Sequence, residues 1–220
     1  MKFKHYFQTS LLKSLIFNFR ILPFKDAVKL PVLLFRNTHI GSLKGRIEIA
    51  APIKHGMIKI GRCNVCGMEK SPTTLSVDGV LRFNGKATIG SGSVILVNKT
   101  GELIIGKNFR ITGRTSIYCR KKITFGDGDL ISWDNLFMDS DQHDILDENG
   151  NILNPDKEIN IGSSVWFGCR CTVLKGCSIA DNSVIASGSI LTHSFSEPNS
   201  IIGGSGSGQK VLRSGIFWNA

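Results

Sequence analysis

The clearest pattern in the chain is a large apolar residue at every sixth position of its C-terminal third. The hexads begin at Ile161, Phe167, Val173, Ile179, Ile185 and Leu191. Their second and fifth positions are mostly small residues. A period of six matches neither an α-helix nor a two-sided strand. It predicts a triangular coil of three short strands, in which the first residue of each hexad fills the interior and small residues allow tight corners.

The same period extends toward the N-terminus with occasional slips. Apolar hexad positions recur at Ile89, Ile105, Ile111, Ile117, Phe125, Ile131 and Phe137. Three hexads make one coil of about 18 residues, and successive coils stack in parallel and hydrogen-bond to each other. We therefore predict an all-β fold with a parallel β-helix over residues 61–203 and a C-terminal tail over residues 204–220.

One long interruption breaks the repeat, because the hexads stop at His143 and resume at Ile161. Within residues 143–160, the pair Asn149-Gly150 lies between two short apolar pairs, which is typical of a hairpin turn. We expect an extruded loop that carries a short hairpin. Loops of this kind on a regular scaffold often carry function.

Residues 1–60 form a basic N-terminal segment with amphipathic character. Apolar residues at helical spacing are Leu11, Leu12, Leu15, Ile16 and Phe19. Pro23 is expected to end this helix, and no apolar run approaches the roughly 20 residues that cross a bilayer. Residues 1–36 are thus interpreted either as a peripheral contact with an anionic membrane surface or as a helix packed on the protein body or a neighbouring subunit.

The net charge of +10 is concentrated at the N-terminal end of the chain. Residues 1–70 hold 13 of the 27 basic residues but only three of the 17 acidic ones. The remainder of the chain is electrically balanced. With two tyrosines and no recognisable binding motif, the sequence favours no nucleic-acid partner.

The six cysteines are expected to be reduced thiols. The start, MKFKHYFQTS, does not look like a cleavable signal peptide, which predicts a cytoplasmic protein, with contact at the inner membrane as the alternative. Cys63 and Cys66 form a lone C-x-x-C, whereas a zinc ribbon needs a second pair. We therefore expect no metal site.

The hexads resemble those of the hexapeptide-repeat acyltransferases, in the branch of sugar O-acetyltransferases. The resemblance covers about residues 75 to 213 and is carried by IGSSVWFGCRCTVLKGCSIADNSVIASGSILT and by MDSDQHDI before the loop. It implies a left-handed parallel β-helix, a homotrimer with sites between subunits, acetyl-CoA as the acyl donor and a sugar or glycan as the acceptor. It also implies that His143 is the catalytic base.

The residues themselves agree with a base at His143. An alcohol is a poor nucleophile near neutral pH, and histidine is the side chain best suited to remove its proton there. A neighbouring carboxylate would orient the imidazole, and we favour Asp141 for this role among the nearby acidic residues. No further histidine lies near His143 in sequence, so a metal centre is not expected.

The resemblance also assigns a coenzyme A groove beside the last coils. The matching positions are Trp166, Cys169, Ser187, Thr192, Lys210 and Arg213. Trp166 would line the acyl or acceptor pocket, and the two cations suit the phosphates of coenzyme A. The chain departs from the family where the usual Gly-x-Pro-Ala-Lys is replaced by a Gly/Ser-rich stretch of residues 203–209 before Lys210.

The function favoured by the sequence is O-acetylation of a sugar hydroxyl in bacterial surface-polysaccharide synthesis. Two alternatives stay open. One is N-acetylation of an amino sugar on the same fold. The other is a non-catalytic β-helix with a binding or structural role.

Overall fold

Short strands follow one another from residue 32 to residue 214, and most of them bury alternate residues. The computed structural model describes residues 8–63, 65, 67–68 and 70–219; Cys66 of the C-x-x-C pair lies outside them. Two helices come first, α1 (Leu11–Ile21) and α2 (Phe24–Ala27). The first eleven strands are β1 (Val32–Leu34), β2 (Thr38–Ile40), β3 (Arg46–Ile49), β4 (Ile58–Arg62), β5 (Thr73–Val77), β6 (Val80–Phe83), β7 (Ala87–Gly90), β8 (Val94–Val97), β9 (Glu102–Ile105), β10 (Phe109–Gly113) and β11 (Ser116–Cys119). The next eleven are β12 (Lys122–Phe125), β13 (Leu130–Trp133), β14 (Leu136–Met138), β15 (Ile159–Ile161), β16 (Trp166–Phe167), β17 (Thr172–Leu174), β18 (Ser178–Ile179), β19 (Val184–Ile185), β20 (Ile190–Leu191), β21 (Ser200–Gly203) and β22 (Lys210–Ser214).

The strands form the three faces of a left-handed triangular prism. Face A has the order β1-β4-β7-β10-β13-β16-β19-β21-β22, face B the order β2-β5-β8-β11-β14-β17-β20, and face C the order β3-β6-β9-β12-β15-β18. Neighbouring strands are parallel, except that β22 runs antiparallel to β21. The chain passes from A to B to C and back to A, so each coil has an A–B, a B–C and a C–A corner. The predicted β-helix is confirmed.

The interior of the prism is the apolar core that the hexads predict. The first residues of the hexads from Ile89 to Leu191 are at most 4% exposed. Phenylalanine rings stack along the axis, with centroids 4.9 Å apart for Phe109 and Phe125 and 5.0 Å apart for Phe125 and Phe137. Burying such rings contributes about 2–3 kcal/mol each, so the stack is a major source of stability.

Glycines are needed at the corners of the prism for two different reasons. At Gly106 an added Cβ would overlap the backbone of Gly126 in the next coil, so close approach of coils excludes a side chain there. Gly128 instead has a φ of 80°, which favours glycine because L side chains rarely adopt it. Positive φ therefore explains only part of the small-residue pattern, and close packing of the coils explains the rest.

The β-helix begins earlier than the predicted residue 61. Val32 pairs with Ile58, and Ile58 pairs with Ala87, so β1 to β3 form the first coil and β4 begins the second. Residues 32–60 therefore belong to the prism and not to a separate N-terminal segment. The partners lie much further apart along the chain than three hexads. Long connections in these first coils break the six-residue register and hide the repeat.

Helix α1 is confirmed, but it packs with the face opposite to its apolar stripe. Asn18 exchanges hydrogen bonds with the backbone of Val32 at 2.7 and 3.1 Å, and the Ser14 hydroxyl accepts one from the Leu34 amide at 2.9 Å. These bonds cover the open edge of β1, which would otherwise pair with another chain. The predicted stripe remains outside, with Leu12 69% and Ile16 59% exposed.

The segment predicted as a C-terminal tail packs against the prism over its described residues. Strand β22 extends face A, where Lys210 pairs with Gly203 and Arg213 pairs with Ile201. The chain then returns along the prism, and the Trp218 indole donates a hydrogen bond of 2.7 Å to the carbonyl of Ser164. Residues 204–219 thus form part of the β-helical body. In the described part of the chain, the helices are too short to cross a bilayer.

Candidate active site

The extruded loop leaves the prism at the B–C corner after β14. Asp139 is buried there, and its carboxylate accepts hydrogen bonds of 2.8 Å from the amides of both Arg120 and Lys121 in the preceding coil. The Asp139 carbonyl accepts another from the Lys157 amide at 3.2 Å. These contacts close the neck of the loop and fix the direction in which it leaves the corner.

The hairpin predicted at the tip of the loop is present. Leu146 and Ile152 form an antiparallel bridge across Asn149-Gly150, and Gly150 has a φ of 81°. Asp147 accepts hydrogen bonds from the Asn149 and Asn151 amides, both at 2.8 Å. The irregular segment extends from Asp139 to residue 158, slightly earlier than the predicted bounds of 143–160, because Asn160 belongs to β15.

His143 lies near the start of this loop, and its side chain is exposed. The preceding residue, Gln142, has a φ of 66°, an unfavourable value for a residue with a side chain. The carbonyl of Gln142 accepts a hydrogen bond from the Arg120 guanidinium at 3.3 Å. A strained and anchored backbone beside an exposed imidazole is a feature of functional sites.

Asp141 was expected to orient the imidazole, but its carboxylate is bonded to other groups. Its carboxylate pairs with the Lys175 ammonium at 2.5 Å and accepts a hydrogen bond from the Asn154 side chain at 2.8 Å. These bonds lower the pKa of Asp141, and the bond from Lys175 has the largest effect. The carboxylate is therefore ionised and committed to the loop, because Lys175 in the next coil competes successfully for it. Its effect on His143 is indirect and passes through Asn154.

Trp166 lies on face A and is 38% exposed. Its indole nitrogen donates to the Ser132 hydroxyl at 3.2 Å, and its ring packs against Trp218 with centroids 5.9 Å apart. The C-terminal chain thereby covers one side of the Trp166 ring. What remains exposed is an aromatic surface flanked by β13 and β19.

Cys169 and Ser187 meet at the A–B corner of adjacent coils. The Cys169 carbonyl accepts a hydrogen bond of 2.9 Å from the amide of Gly188, which follows Ser187. Cys169 is half-buried, and Ser187 is exposed. The structure therefore brings these two predicted residues together.

Thr192 lies at the B–C corner, and both of its polar groups are engaged by Gln209. Its amide donates to the Gln209 side-chain oxygen at 2.8 Å, and its hydroxyl accepts from the Gln209 amide nitrogen at 2.9 Å. Gln209 is 7% exposed and thus ties the C-terminal chain to the last coil. Lys210 and Arg213 follow on β22 with exposed side chains.

The predicted site residues fall into three places on one chain. His143, Asp141 and Thr192 share the B–C corner, Cys169 and Ser187 share the A–B corner, and the remaining three lie on face A. In a triangular prism, face A is opposite the B–C corner. One chain therefore does not bring Trp166 beside His143, and the expected single groove is not formed within one subunit.

Four residues that organise this region were missed in the sequence. They are Asn154, Lys175, Gln209 and Trp218. Each contacts a residue more than ten positions away in sequence, so local patterns contain little signal for it. The available hints are the Asn-Pro pair at residues 154–155 and the apolar run Ile216-Phe217-Trp218 near the terminus.

The thiols differ in their surroundings. Burial raises the pKa of Cys177 to about 12, and it also raises the pKa of Cys171. Such groups stay protonated and unreactive near neutral pH. Within the described ranges, no three histidine, cysteine, aspartate or glutamate side chains are grouped so as to hold a metal ion.

Comparison with known sequences identifies the repeat and two relatives. The family of bacterial transferase hexapeptide (six repeats) matches residues 158–193. Galactoside O-acetyltransferase of Escherichia coli strain K12 is 34% identical over 103 residues, which are 46% of this chain and 49% of that protein. Polysialic acid O-acetyltransferase of Neisseria meningitidis is 32% identical over 104 residues, 47% of this chain and 39% of the relative. The chain therefore matches about half or less of each curated relative's length.

Comparison with solved structures confirms the fold. The polySia-specific acetyltransferase NeuO covers 86% of this chain, the match spans 79% of that structure, and the TM-score is 0.54 at 20% identity. A mutant of AntD, an N-acyltransferase from Bacillus cereus in complex with dTDP and coenzyme A, has a TM-score of 0.51 at 13% identity, with 88% of this chain and 90% of that chain covered. At these identities the likeness concerns the fold alone. Together with the matched repeats, it shows that this chain has a parallel β-helix built from hexapeptide repeats.

Proposed function

We propose that this chain is an acetyl-CoA-dependent O-acetyltransferase that acts on a sugar hydroxyl, with His143 as the general base. The observation that carries the proposal is the exposed imidazole on a loop that Asp139, Asn154 and Lys175 anchor at a corner of the prism. The two O-acetyltransferase relatives support hydroxyl transfer over the alternatives.

The reaction follows from the chemistry of a thioester and an alcohol. His143 removes the proton from the acceptor hydroxyl, and the oxygen attacks the thioester carbonyl carbon of acetyl-CoA. A backbone N–H stabilises the oxyanion of the tetrahedral intermediate. The carbon–sulfur bond then breaks, and the imidazolium returns the proton to the coenzyme A thiolate. The products are an acetyl ester and free coenzyme A.

We assign the donor groove to the residues of face A and the A–B corner. Trp166 would contact the acyl group or the acceptor, with Cys169 and Ser187 along the pantetheine arm. Lys210 and Arg213 would bind the phosphates of coenzyme A. Thr192 was also expected to contact coenzyme A, but it lies at the B–C corner and Gln209 engages its amide and hydroxyl, so we leave it out of this groove.

The activity assay uses acetyl-CoA with matched panels of sugar hydroxyls and amino sugars. Release of free thiol measures turnover, and product mass identifies the acetylated acceptor. His143→Ala is expected to lower kcat by about 10²- to 10⁴-fold, the usual contribution of a general base. His39→Ala, which removes an exposed histidine from face B, serves as the control. Transfer only to amines would favour the N-acetyltransferase, and equal activity of H143A and wild type would contradict the assignment of the base.

We further propose a homotrimer in which His143 and Trp166 of different subunits share one site. This arrangement is supported by their placement on opposite sides of one prism. Mixed trimers of His143→Ala and Trp166→Ala subunits should recover activity that neither variant has alone, since some interfaces would combine two intact residues. Failure to recover activity in verified mixed trimers would place each site within one chain.

We also propose that residues 1–36 hold the enzyme at the cytoplasmic face of the inner membrane, close to polysaccharide synthesis. The support is the exposed face of α1, where Leu12 and Ile16 lie beside cations such as Arg20. Vesicles containing phosphatidylglycerol should bind the protein, and phosphatidylcholine vesicles should not. Leu12→Glu with Ile16→Glu should abolish binding, whereas Phe217→Glu, at an 87% exposed position, should not. Unchanged binding of the double variant would refute this role.

A further inference from the structure

A cavity of about 390 Å³ lies on face A near the C–A corner, in the N-terminal coils. Four basic side chains line it: Lys59, Arg62, Lys86 and Arg110. Thr88 and Asn108 add polar groups to its wall. None of these residues belongs to the site around His143 or to the proposed coenzyme A groove.

The strand register explains why these cations converge. Lys59 on β4 pairs with Thr88 on β7, and Thr88 pairs with Arg110 on β10. Residues in such a column point to the same side of the sheet. Arg62 ends β4, and Lys86 directly precedes β7, so two more cations flank the column. Three successive coils thus build one basic surface from residues that are far apart in sequence.

The cations of this cavity lack the partners that other basic residues have. Elsewhere on the prism, Arg82 pairs with Glu48, Arg114 with Asp134 and Arg120 with Asp156. Within the described ranges, no ion pair involves any of the four cavity cations. Like charges held together destabilise a fold unless an anion neutralises them. The pKa of Lys59 is lowered, first by its burial and then by the charges of Arg62 and Lys86.

The one carboxyl group that lines the cavity does not balance this charge. Asp129 is buried, and burial raises its pKa to about 8. It is therefore largely neutral at pH 7. The cavity presents an excess of positive charge together with polar groups, which suits an oxyanion.

The position of the cavity relates it to the proposed acceptor. Arg110 pairs with Leu130 and Leu130 with Trp166, so two strand spacings, about 10 Å, separate the cavity from the tryptophan on face A. Lys210 and Arg213 lie beyond Trp166 at the other end of the same face. An acidic glycan bound at the cavity would extend along face A toward Trp166.

We propose that this cavity binds a carboxylate or phosphate group of the acceptor glycan, an inference that rests on the proposed sugar O-acetyltransferase function. Lys59 and Arg110 would contact the anion directly from their shared column. Arg62 and Lys86 would raise the local potential around it. The acceptor would then be an acidic rather than a neutral polysaccharide.

The first test is calorimetric binding without acetyl-CoA, which makes it independent of catalysis. The probes are an oligogalacturonate for the carboxylate, a glucose phosphate for the phosphate, and a neutral galacto-oligosaccharide of matched length. The wild type should bind at least one acidic probe tenfold or more tightly than the neutral one. Lys59→Gln with Arg110→Gln should remove this preference, and Arg46→Gln with Lys122→Gln, which removes equal charge from face C, should retain it.

Coenzyme A also carries phosphates, so the cavity could in principle be part of the coenzyme A site, and coenzyme A binding must be measured as well. The double variant of the cavity should bind coenzyme A as the wild type does. Loss of coenzyme A binding in that variant, or equal affinity of wild type for acidic and neutral probes, would overturn the proposal.

Kinetics separate this proposal from the proposed function. With an acidic acceptor, the double variant should raise the acceptor KM at least tenfold and leave kcat within about twofold. If the double variant acetylates the acidic acceptor with an unchanged acceptor KM, the cavity assignment is refuted, but the proposed O-acetyltransferase function is not. Selective binding of acidic glycans without any acetyl transfer would refute the enzymatic function and preserve the anion site.

Discussion

The side chain of Asn154 ties the backbone of His143 to a buried corner of the prism. Its amide nitrogen donates to the His143 carbonyl at 2.9 Å and to the Asp141 carboxylate at 2.8 Å. Its amide oxygen accepts from the Ile145 amide at 2.6 Å, and its own carbonyl accepts from Lys175 at 2.7 Å. One residue thus links the proposed base, the carboxylate and the next coil.

Asn154→Ala should lower kcat by about tenfold or more, because the His143 loop loses the bonds that set its position. The KM for acetyl-CoA should change little, since the donor groove lies elsewhere on the prism. Steady-state kinetics with varied donor and acceptor measure both values. Asn154→Asp should behave similarly, as it retains an acceptor for Ile145 but loses both donated bonds.

The matched control is Asn151→Ala at the tip of the same loop. Asn151 donates to Asp147 at 2.9 Å and makes no bond to His143. Activity close to wild type is expected for it. An equal loss in both variants would indicate that loop folding in general, and not the position of His143, limits the reaction.

Asp129→Asn should make stability less dependent on pH. The folded pKa is raised to about 8, whereas an unfolded aspartate has a pKa of about 3.9. As pH rises between these values, the unfolded chain releases a proton that the folded chain retains, so the unfolding free energy falls. The loss amounts to about 2 kcal/mol or more by pH 8. The asparagine keeps an acceptor for the Val165 amide, bonded at 2.8 Å in the wild type.

Thermal unfolding between pH 5 and pH 8 measures this effect. The Tm of the wild type should fall toward pH 8, and that of D129N should stay nearly constant. Asp127→Asn is the control of opposite sign, because the Lys107 amide lowers the pKa of Asp127. That carboxylate stabilises the fold above its unfolded pKa, so D127N should be less stable than the wild type throughout this range. The two proteins should converge only in further measurements below about pH 4. The prediction would be contradicted if the Tm of D129N and that of the wild type changed with pH in parallel.

Alkylation by iodoacetamide should distinguish the cysteines of the native protein. Cys171 and Cys177 are buried, with raised pKa values, and should react only on unfolding. Cys169 is half-buried and should react faster. Coenzyme A should slow modification of Cys169 if the donor groove runs past the A–B corner, and peptide mass mapping reads out each site. Unaltered labelling of Cys169 at saturating coenzyme A would remove this residue from the groove.

Trp218→Ala should destabilise the fold by about 1–2 kcal/mol, since it removes a ring contact with Trp166 and the bond to Ser164. Urea unfolding measures the change, and tryptophan fluorescence should report greater exposure of Trp166. Trp218→Phe should recover part of the loss by restoring the ring contact alone. Phe217→Ala, at an exposed neighbouring position, should have little effect, and a similar loss in that variant would refute a specific role for Trp218.

The hexad period by itself determined the prism from Ile89 onward, the burial of its first positions and the extruded loop with its turn. These features are local, because a six-residue period decides which side chain points inward wherever the coil is regular. The same rule failed for residues 32–60, where long connections interrupt the register. A resemblance to acyltransferases singled out His143, but it did not indicate what holds that residue in place.

Only the tertiary structure decided which side chains meet across coils. Lys175 takes the Asp141 carboxylate away from the imidazole, Gln209 occupies Thr192, and β22 joins face A as an antiparallel strand. Stacking of coils also gathered Lys59 and Arg110 into one cavity and set Trp166 on the side opposite His143. Such contacts depend on how many residues each coil contains and where each corner turns, and these long-range spacings are absent from the local hydrophobic pattern.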